Sequence, residues 1–333
     1  MDRESQPIGG IDLGGTKIEA IVADAANNVL GSARSPTPSQ GGPTAVAAAL
    51  ADAVTGACRQ AGLEPGALLG IGVGSPGDID SKSGSVSSAK NLPDWAGTFD
   101  LGPAVSEKLG VPVFLGNDVG VATEAEFELG AGKPYDSLLG VFWGTGVGGG
   151  LILHGERWLG RGGAGEIGHT VVKLNGAKCQ CGRRGCLEAY AGRAAMEARV
   201  RRRMEHGKHT DLFKIMVDHG RTRLTSGIWA RALAHGDKLA TDVIDQAVAA
   251  LGAGIASAVN LLDIEAVIIG GGLGVRFGEP YAERIAKAMQ PHLFNDNRPP
   301  DVKVAGLGDL GGALGAVLLA RHGLAAVPQP SAA

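Results

Sequence analysis

The chain has 333 residues, a length that favours two domains of roughly 150 residues each. Its 31 lysine and arginine residues against 34 aspartate and glutamate residues give a net charge of −3, which excludes electrostatic capture of a nucleic acid. Hydrophobic residues (44%) and charged residues (20%) occur in the proportions of a soluble globular protein, so disorder and a coiled coil are excluded as well.

The first half of the chain predicts two strands joined by a glycine turn, followed by alternating helices and strands. Apolar runs at 8–13 and 18–23 flank Gly14-Gly15-Thr16-Lys17, which is the pattern of a strand, a tight turn and a second strand. The elements predicted after this hairpin are a helix over 43–61, a strand over 68–73, a helix over 102–109, a strand over 111–115 and a helix over 119–129.

The second half repeats this order, which indicates an internal duplication. Residues 137–153 again predict two strands around a Gly-Thr pair, 129 residues after the first pair. A glycine- and cysteine-rich segment at 160–190 and a helical segment at 191–231 follow. The basic run 199–203 is interpreted as a solvated helix face, and the alternative is attraction of an anion near a phosphate site. The last predicted elements are a helix over 237–262, a strand over 266–269, a helix over 280–289, a strand over 302–305 and a helix from about 309 to 321. Two mixed sheets covered by helices, with a ligand cleft between the halves, are therefore expected.

Two glycine turns are candidate phosphate sites. Bare amides at Gly14 and Gly15 can point at phosphate oxygens, while Thr16 and Lys17 add a hydroxyl and a positive charge, and Asp12 could orient a magnesium-bound water. The alternative is a plain glycine hairpin with a solvated lysine. A second turn in the matching place, Gly144-Thr145-Gly146, favours phosphate binding. Neither turn has the spacing of a Walker A loop or a Rossmann fingerprint, so a dehydrogenase is not predicted.

The cysteines favour a metal site in a reducing compartment. His169, Cys179, Cys181 and Cys186 offer one imidazole and three thiolates within 18 residues, a closed tetrahedral set for structural zinc. The alternative is three reduced cysteines without a metal, and Cys58 is predicted to be packed in the core. The first thirty residues hold no signal peptide and no apolar run approaches ~18 residues, so a cytoplasmic protein with no membrane partner is expected.

Asn117-Asp118 follows a predicted buried strand, at the carboxyl end where α/β sheets place their ligands. A carboxylate there can take the proton of a hydroxyl as it attacks a phosphate. The pair could equally be the cap of the following helix. The residues alone leave both interpretations open.

Three segments together resemble the ROK family (repressors, open reading frames, sugar kinases): DLGGTK, the glycine-rich stretch 144–170 ending in EIGH, and CQCGRRGCLE. The resemblance covers nearly the whole chain and implies an α/β, actin-like ATPase fold of the hexokinase type, with sugar and ATP between two lobes. The small lobe is expected over 1–117, with a helix of about 310–322 packing back on it. The large lobe is expected over 118–309, with a zinc-binding insert at 166–188.

The resemblance implies ATP-dependent phosphorylation of a hexose at its 6-hydroxyl, most simply glucose, with Asp118 as the catalytic base. Zinc would brace the sugar pocket, because His169 touches the sugar while its other ring nitrogen binds the metal. The residues implied in sugar binding are Asn91, Asn117, Asp118, Glu166, His169 and Glu188. Those implied in binding ATP and Mg²⁺ are Asp12, Gly14, Gly15, Thr16, Lys17, Gly144, Thr145, Gly146, Gly271 and Gly272.

The chain departs from the family pattern directly after the base. Relatives commonly continue Asn-Asp-Ala-Asn-Ala, whereas this chain continues Val119-Gly120-Val121, so a polar neighbour is lost and the sugar preference could differ. N-acetylmannosamine, N-acetylglucosamine, fructose and mannose are therefore alternative substrates. A sugar-responsive repressor is not expected, because only eleven residues precede Asp12 where such relatives carry a DNA-binding region. The resemblance also implies a homodimer.

Overall fold

The computed structural model describes residues 6–89 and 91–326, and internal contacts divide the chain into two compact units. The first unit comprises Met1–Leu129 and Asp309–Ala333, and the second comprises Gly130–Gly308. The expected lobe boundary after residue 117 thus lies inside the first unit. The helix that follows it packs against the C-terminal helix, where a Cβ at Gly315 would overlap with the carbonyl oxygen of Val121.

The described residues form thirteen strands and eleven α-helices. In chain order the strands are β1 (Ile8–Leu13), β2 (Lys17–Ala23), β3 (Val29–Pro36), β4 (Ile71–Ser75), β5 (Asp78–Asp80), β6 (Ser85–Ser87), β7 (Thr98–Phe99), β8 (Val113–Asn117), β9 (Leu138–Trp143), β10 (Val147–Leu153), β11 (Glu156–Arg157), β12 (Ala266–Gly270) and β13 (Asp301–Val304). The helices are α1 (Gly42–Gln60), α2 (Leu101–Leu109), α3 (Asp118–Glu128), α4 (Glu188–Ala191), α5 (Arg193–Glu205), α6 (Leu212–Asp218), α7 (Ser226–Ala234), α8 (Lys238–Leu262), α9 (Gly271–Phe277), α10 (Glu279–Met289) and α11 (Gly311–Ala326).

The main sheet of the first unit has the order β3-β2-β1-β4-β8, with β1, β4 and β8 parallel and β1, β2 and β3 antiparallel. Helix α1 covers one face and α11 the other, so the central strands are nearly continuous apolar runs. Glycine permits this close packing: a Cβ at Gly72 would overlap with the carbonyl oxygen of Ala316 in α11. A small sheet of β5, β6 and β7 completes the unit.

The parallel strands of the first unit end together. Asp12 pairs with Gly74 across β1 and β4, and Ser75 pairs with Asn117 across β4 and β8. Adjacent strands lie about 4.8 Å apart, so the residues that follow β8 start about two strand spacings from Asp12. The carboxyl edge of this sheet therefore carries the polar residues that the sequence singles out.

The second unit has the order β11-β10-β9-β12-β13, with the same parallel and antiparallel pairings as the first. This equivalence agrees with the predicted duplication. Its core is built around Trp143, Trp229 and the buried face of α8, which includes Val243, Leu251 and Ile255.

The apolar character of helix α8 is not predicted from the lengths of the apolar runs in the sequence. Among the described residues it is the one helix long and apolar enough to cross a membrane by length and composition. Of its most apolar 18-residue window, 61% is buried inside the structure, and its buried residues belong to the core of the second unit. The helix is therefore packed as a core helix.

Candidate active site

The β1–β2 turn of the first unit is a tight hairpin held from two sides. The Gly14 N–H donates to the Lys17 carbonyl at 2.9 Å, and the Thr37 hydroxyl donates to the Gly14 carbonyl at 2.6 Å. A Cβ at Gly15 would lie 2.5 Å from the carbonyl oxygen of Asn91, so the loop that carries Asn91 rests on this turn. The turn predicted to hold phosphate and a loop predicted to hold sugar thus meet in one unit.

Asp12 ends β1 in a crowded, charged setting. Its carboxyl faces the start of α11, where a Cβ at Gly312 would lie 2.9 Å from Oδ2. Burial raises the pKa of Asp12; the positive charge of Lys17 opposes this shift, and the negative charges of Glu19 and Asp309 add to it. The charged form of such a buried carboxyl is stabilised when a cation binds beside it. Asp12 is therefore suited to a position next to a hydrated magnesium ion.

Asn117 and Asp118 begin α3. The Asn117 Oδ1 accepts the Gly120 N–H at 3.0 Å, so Asn117 is the N-cap of the helix. The Asp118 Oδ1 accepts the Val119 N–H at 2.9 Å. The cap interpretation thus holds for Asn117. For Asp118 it does not compete with a role as base, because a carboxylate has two oxygens and about four lone-pair sites.

The departure from the family pattern after Asp118 has a packing reason at Val121. This side chain is fully buried, and a Cβ at either Gly74 or Gly116 would lie 2.8 Å from one of its methyl groups. Valine fills the space above two glycines at the ends of β4 and β8. Gly120 is buried and its N–H is used by the cap, so this position contributes backbone and no side chain to the site.

The β9–β10 turn of the second unit lies beside the start of α9. The Gly144 N–H donates to the Gly146 carbonyl at 2.9 Å, and a Cβ at Gly144 would lie 3.9 Å from the Gly272 nitrogen. Gly271 has φ +77° and lies against the Trp143 backbone, where a Cβ would come 2.6 Å from the carbonyl oxygen. The two glycine segments assigned to ATP by the resemblance are therefore neighbours.

Glu188 connects this turn to the cysteine cluster. Its Oε2 accepts the Val147 N–H at 3.0 Å, immediately after the turn. The same oxygen leaves no room for a side chain at Gly146. Its Oε1 lies 3.8 Å from the Cys179 Sγ. The carboxylate is thus held between a candidate phosphate turn and a candidate metal site.

Glu166 directly precedes a short 3₁₀ turn over Ile167–His169, and His169 ends this turn. The turn packs on β10. A Cβ at Gly168 would overlap with the Val147 carbonyl oxygen, which fixes the turn close to the strand. The His169 Nε2 lies 4.0 Å from the Glu166 Oε2, and the Glu166 side chain is 59% exposed. The Glu166 carboxylate is therefore accessible to a ligand that binds from solution.

The three cysteines and His169 form a cluster that fits a tetrahedral metal ion. The Cys179 Sγ lies 3.8 Å from the His169 Nδ1, the Cys181 Sγ lies 3.7 Å from the Cys186 Sγ, and all four donor atoms lie within 4.8 Å of one another. Ligands ~2.3 Å from a tetrahedral centre are separated by about 3.8 Å. Nδ1 faces the thiols while Nε2 faces Glu166, so the two ring nitrogens point to different groups.

The thiols of this cluster differ in their surroundings. Burial raises the pKa of Cys179 to about 12, and burial also raises the pKa of Cys186. A hydrogen bond from the Arg183 backbone lowers the pKa of Cys181. A bound divalent cation would supply the positive charge that buried thiolates need. The donor set can thus hold a metal.

Each unit gathers its own part of the predicted site. The first unit places these residues at or beside the carboxyl edge of its sheet: Asp12, Gly14, Gly15, Thr16, Lys17, Asn91, Asn117 and Asp118. The second unit places these residues around the β9–β10 turn and the thiol cluster: Gly144, Thr145, Gly146, Glu166, His169, Cys179, Cys181, Cys186, Glu188, Gly271 and Gly272.

Two arginines beside the glycine turns are not predicted from the sequence. Arg193 donates from Nη2 to the Thr145 hydroxyl at 2.7 Å, and Arg34 bridges the Glu19 and Asp309 carboxylates at 2.5 and 3.1 Å. Arg193 follows directly on a glycine and starts a helix, a signal that could have been read. The bridge from Arg34 to Asp309 spans 275 positions and leaves no local signal.

The interpretation of residues 199–203 as a solvated face is wrong for Arg199. This side chain is buried, lies 5.3 Å from the centre of the Tyr190 ring, and donates to the Ala189 carbonyl at 2.9 Å. It thereby satisfies carbonyls at the end of α4. Its charge supports the segment that carries Glu188 and is not displayed to solvent.

The family model described as ROK family matches residues 8–323. The chain belongs to the ROK family. A glucokinase of Streptomyces coelicolor is 33% identical over 317 residues, which cover 94% of this chain and 97% of that protein. An N-acetylmannosamine kinase of Yersinia pseudotuberculosis is also 33% identical, over 94% of this chain and 98% of that protein.

A solved structure gives the same result for the fold. The crystal structure of a ROK family glucokinase from Streptomyces griseus, in complex with glucose and AMPPNP, is 31% identical. It matches 95% of this chain and 99% of its own with a TM-score of 0.82. The expected actin-like fold of the hexokinase type is thus confirmed, and the chain is a sugar kinase of the ROK family.

Proposed function

We propose that the chain transfers the γ-phosphoryl group of ATP to the 6-hydroxyl of glucose. The observation that carries this proposal is the position of Asp118. It follows Asn117, which ends β8 and caps α3, and it lies at the same edge of the sheet as Asp12. The similarity to a glucokinase structure with glucose and AMPPNP supports the choice of sugar and nucleotide.

Asp118 acts as the general base. Its carboxylate accepts the proton of the sugar hydroxyl as the oxygen forms a bond to the γ-phosphorus. The bond from that phosphorus to the β–γ bridging oxygen breaks, and ADP leaves. Asn117 supports this role, because its cap at Gly120 fixes the first turn of α3 and hence the direction of the Asp118 side chain.

The two glycine turns bind the phosphates through backbone N–H groups, with Lys17 adding a positive charge. Mg²⁺, which arrives with ATP, neutralises charge on the phosphates, and Asp12 is the residue we assign to its hydration shell. Gly271 and Gly272 lie on the adenosine side. The proximity of Gly144 to Gly272 supports one continuous surface for the part of the nucleotide that the second unit binds.

Asn91, Asn117, Glu166, His169 and Glu188 bind the sugar hydroxyls in this proposal. His169 and the three cysteines would hold zinc, and the bound metal would then brace Glu166 and Glu188. The support is the ligand spacing described above and the contact of Glu188 with Cys179. The three clustered thiols favour a cytoplasmic, reducing location.

A second candidate is phosphorylation of N-acetylmannosamine. It is favoured by the equal identity of the chain to a glucokinase and to an N-acetylmannosamine kinase over the same share of its length. Position 120, two residues after Asp118, is glycine, so a polar side chain that could select between sugars is missing there.

A panel of hexoses and N-acetylhexosamines assayed with ATP, with ADP formation as the readout, tests both candidates. We expect the largest kcat/KM with glucose. A larger kcat/KM with N-acetylmannosamine would replace the first candidate by the second. No ADP above background with any sugar would contradict the kinase proposal.

We also propose that the chain forms a homodimer through the second unit, as the family resemblance implies. Exposed apolar side chains on this unit support the proposal, among them Leu174, Leu261 and Phe294. Light scattering that gives the mass of one 33.7 kDa chain would contradict it.

A further inference from the structure

Arg193 is fixed to the β9–β10 turn at two points. Its backbone N–H donates to the Gly144 carbonyl at 3.1 Å, and its Nη2 donates to the Thr145 hydroxyl at 2.7 Å. As the first residue of α5, it begins a rigid helix whose first turn rests on the glycine turn. The position of the guanidinium is therefore set by the turn itself.

Within the part of the chain that the structure describes, the guanidinium of Arg193 forms no ion pair. No carboxylate of the residues described here lies within 4.0 Å of it, and the nearest acidic side chain on its helix, Glu197, is paired with Arg201 at 2.6 Å. The side chain is half-buried, and burial lowers its pKa; the negative charge of Glu197 opposes this shift, and the positive charge of Arg223 adds to it. A partly desolvated cation that no carboxylate contacts is costly in the free protein, and an anion that binds beside it lowers this cost.

A second cation lies near Arg193. Arg223 precedes α7, and it is close enough to Arg193 for its charge to act on it. Ser226, three residues later, lies near the other glycine segment, with its hydroxyl 3.9 Å from the Cβ position of Gly272. Arg193 thus contacts one glycine segment, and Ser226, which follows Arg223 closely in the chain, lies beside the other.

We propose that Arg193 is a ligand of the ATP phosphates, with Arg223 adding positive charge beside it. The inference rests on the proposed use of ATP. A guanidinium has five N–H groups in a planar fork that matches phosphate oxygens, and only one is needed to hold Thr145. The contact with Thr145 keeps the fork beside the turn before the nucleotide arrives.

Calorimetric titration of the full chain with ATP and with adenosine, without sugar, tests the proposal. Arg193→Gln keeps a donor for Thr145 but removes the charge. We expect its affinity for ATP to fall about 10- to 100-fold, the scale of lost hydrogen bonds to a charged group, while its affinity for adenosine stays unchanged. Arg193→Lys should recover part of the loss.

Arg201→Gln is the matched control, because Arg201 lies on the same helix and pairs with Glu197 on the surface. It should bind ATP as the unaltered chain does. Arg223→Gln should lose less affinity than Arg193→Gln, since Arg223 acts through its charge alone. An unchanged affinity of Arg193→Gln for ATP, or an equal loss for adenosine, would overturn the proposal.

The kinase assay separates this inference from the proposed function. If the unaltered chain binds ATP but phosphorylates no sugar, the proposed function fails and the titration still decides the role of Arg193. If the unaltered chain binds no ATP, both fail. With an active kinase, Arg193→Gln should raise the KM for ATP and leave the KM for sugar unchanged.

Discussion

The Glu188 carboxylate accepts the backbone N–H of Val147 at 3.0 Å, directly after the glycine turn of the second unit. Val147 is buried, so its N–H has little access to water. The other oxygen of Glu188 lies 3.8 Å from a thiol of the metal cluster. A residue assigned to sugar binding therefore also holds the turn in place.

Replacement of Glu188 should affect stability as well as sugar binding. Glu188→Ala leaves the Val147 N–H without its acceptor, and we expect the free energy of unfolding to fall by about 1–3 kcal/mol. Glu188→Gln keeps an amide oxygen for this bond and should lose less. Urea denaturation of both variants measures the difference. Equal losses would show that the hydrogen bond contributes little.

Asp118→Asn should separate turnover from binding. It keeps the size of the side chain and an oxygen for the Val119 N–H, but it removes the proton acceptor. We expect kcat to fall by ~10²–10⁴, the usual contribution of a general base, with little change in sugar affinity measured by calorimetry without ATP.

Glu166→Gln is the contrasting variant for Asp118→Asn. It should raise the KM for sugar more than the KM for ATP, because Glu166 is exposed beside His169 and is assigned to the sugar hydroxyls. A near-normal kcat of Asp118→Asn would show that Asp118 is the first residue of α3 and not the catalytic base.

The protonated form of Asp12 should add to the stability of the ligand-free protein at low pH. Burial raises the pKa of Asp12 above its ordinary value of 3.8, so the folded state favours the protonated form. The stability from that form is fully present below pH 3.8 and is lost as the pH rises through the folded-state pKa. At pH 7 the charged, buried carboxylate therefore destabilises the fold.

We expect Asp12→Asn to unfold at a higher urea concentration than the unaltered chain at pH 7. The difference should shrink as the pH is lowered through the raised folded-state pKa of Asp12, because the unaltered carboxyl then becomes protonated too. The same variant should need more Mg²⁺ and ATP for half-maximal rate, with unchanged sugar affinity. A lower stability of Asp12→Asn at pH 7 would contradict the assignment of the pKa shift to burial.

Zinc content and sugar affinity should fall together in Cys181→Ser. The substitution removes one of four donors, and the segment that carries Glu166 and Glu188 loses its brace. Elemental analysis should give one zinc per unaltered chain and less in the variant. Cys58→Ala is the control, because Cys58 is buried in α1 of the first unit and should leave zinc unchanged. Active protein without zinc would disprove the assignment.

Much of this fold is predictable from local sequence. The strand bounds around the two glycine turns, the position of Asn117-Asp118 and the cysteine spacing all come from patterns within about 20 residues. His169 and the three cysteines lie together as predicted, because their spacing along the chain is short.

Contacts between distant segments could not be read in the same way. Arg193 meets Thr145 across 48 positions, and Arg34 meets Asp309 across 275. No periodicity or motif predicts either pair, since each contact depends on how two elements that are distant in sequence pack in the folded chain. The burial of Arg199 was missed for the same reason: its partners are carbonyls, which every residue has.

The C-terminal helix α11 has a consequence for synthesis on the ribosome. It covers one face of the first sheet so closely that Gly72 and Ala316 meet backbone to backbone, yet it is made after the whole of the second unit. Residues 8–128 therefore leave the ribosome with an apolar sheet face uncovered, while 130–308 follow as one continuous segment. We expect the second unit to complete its core first, and the nascent first unit to be the part that needs protection by a chaperone.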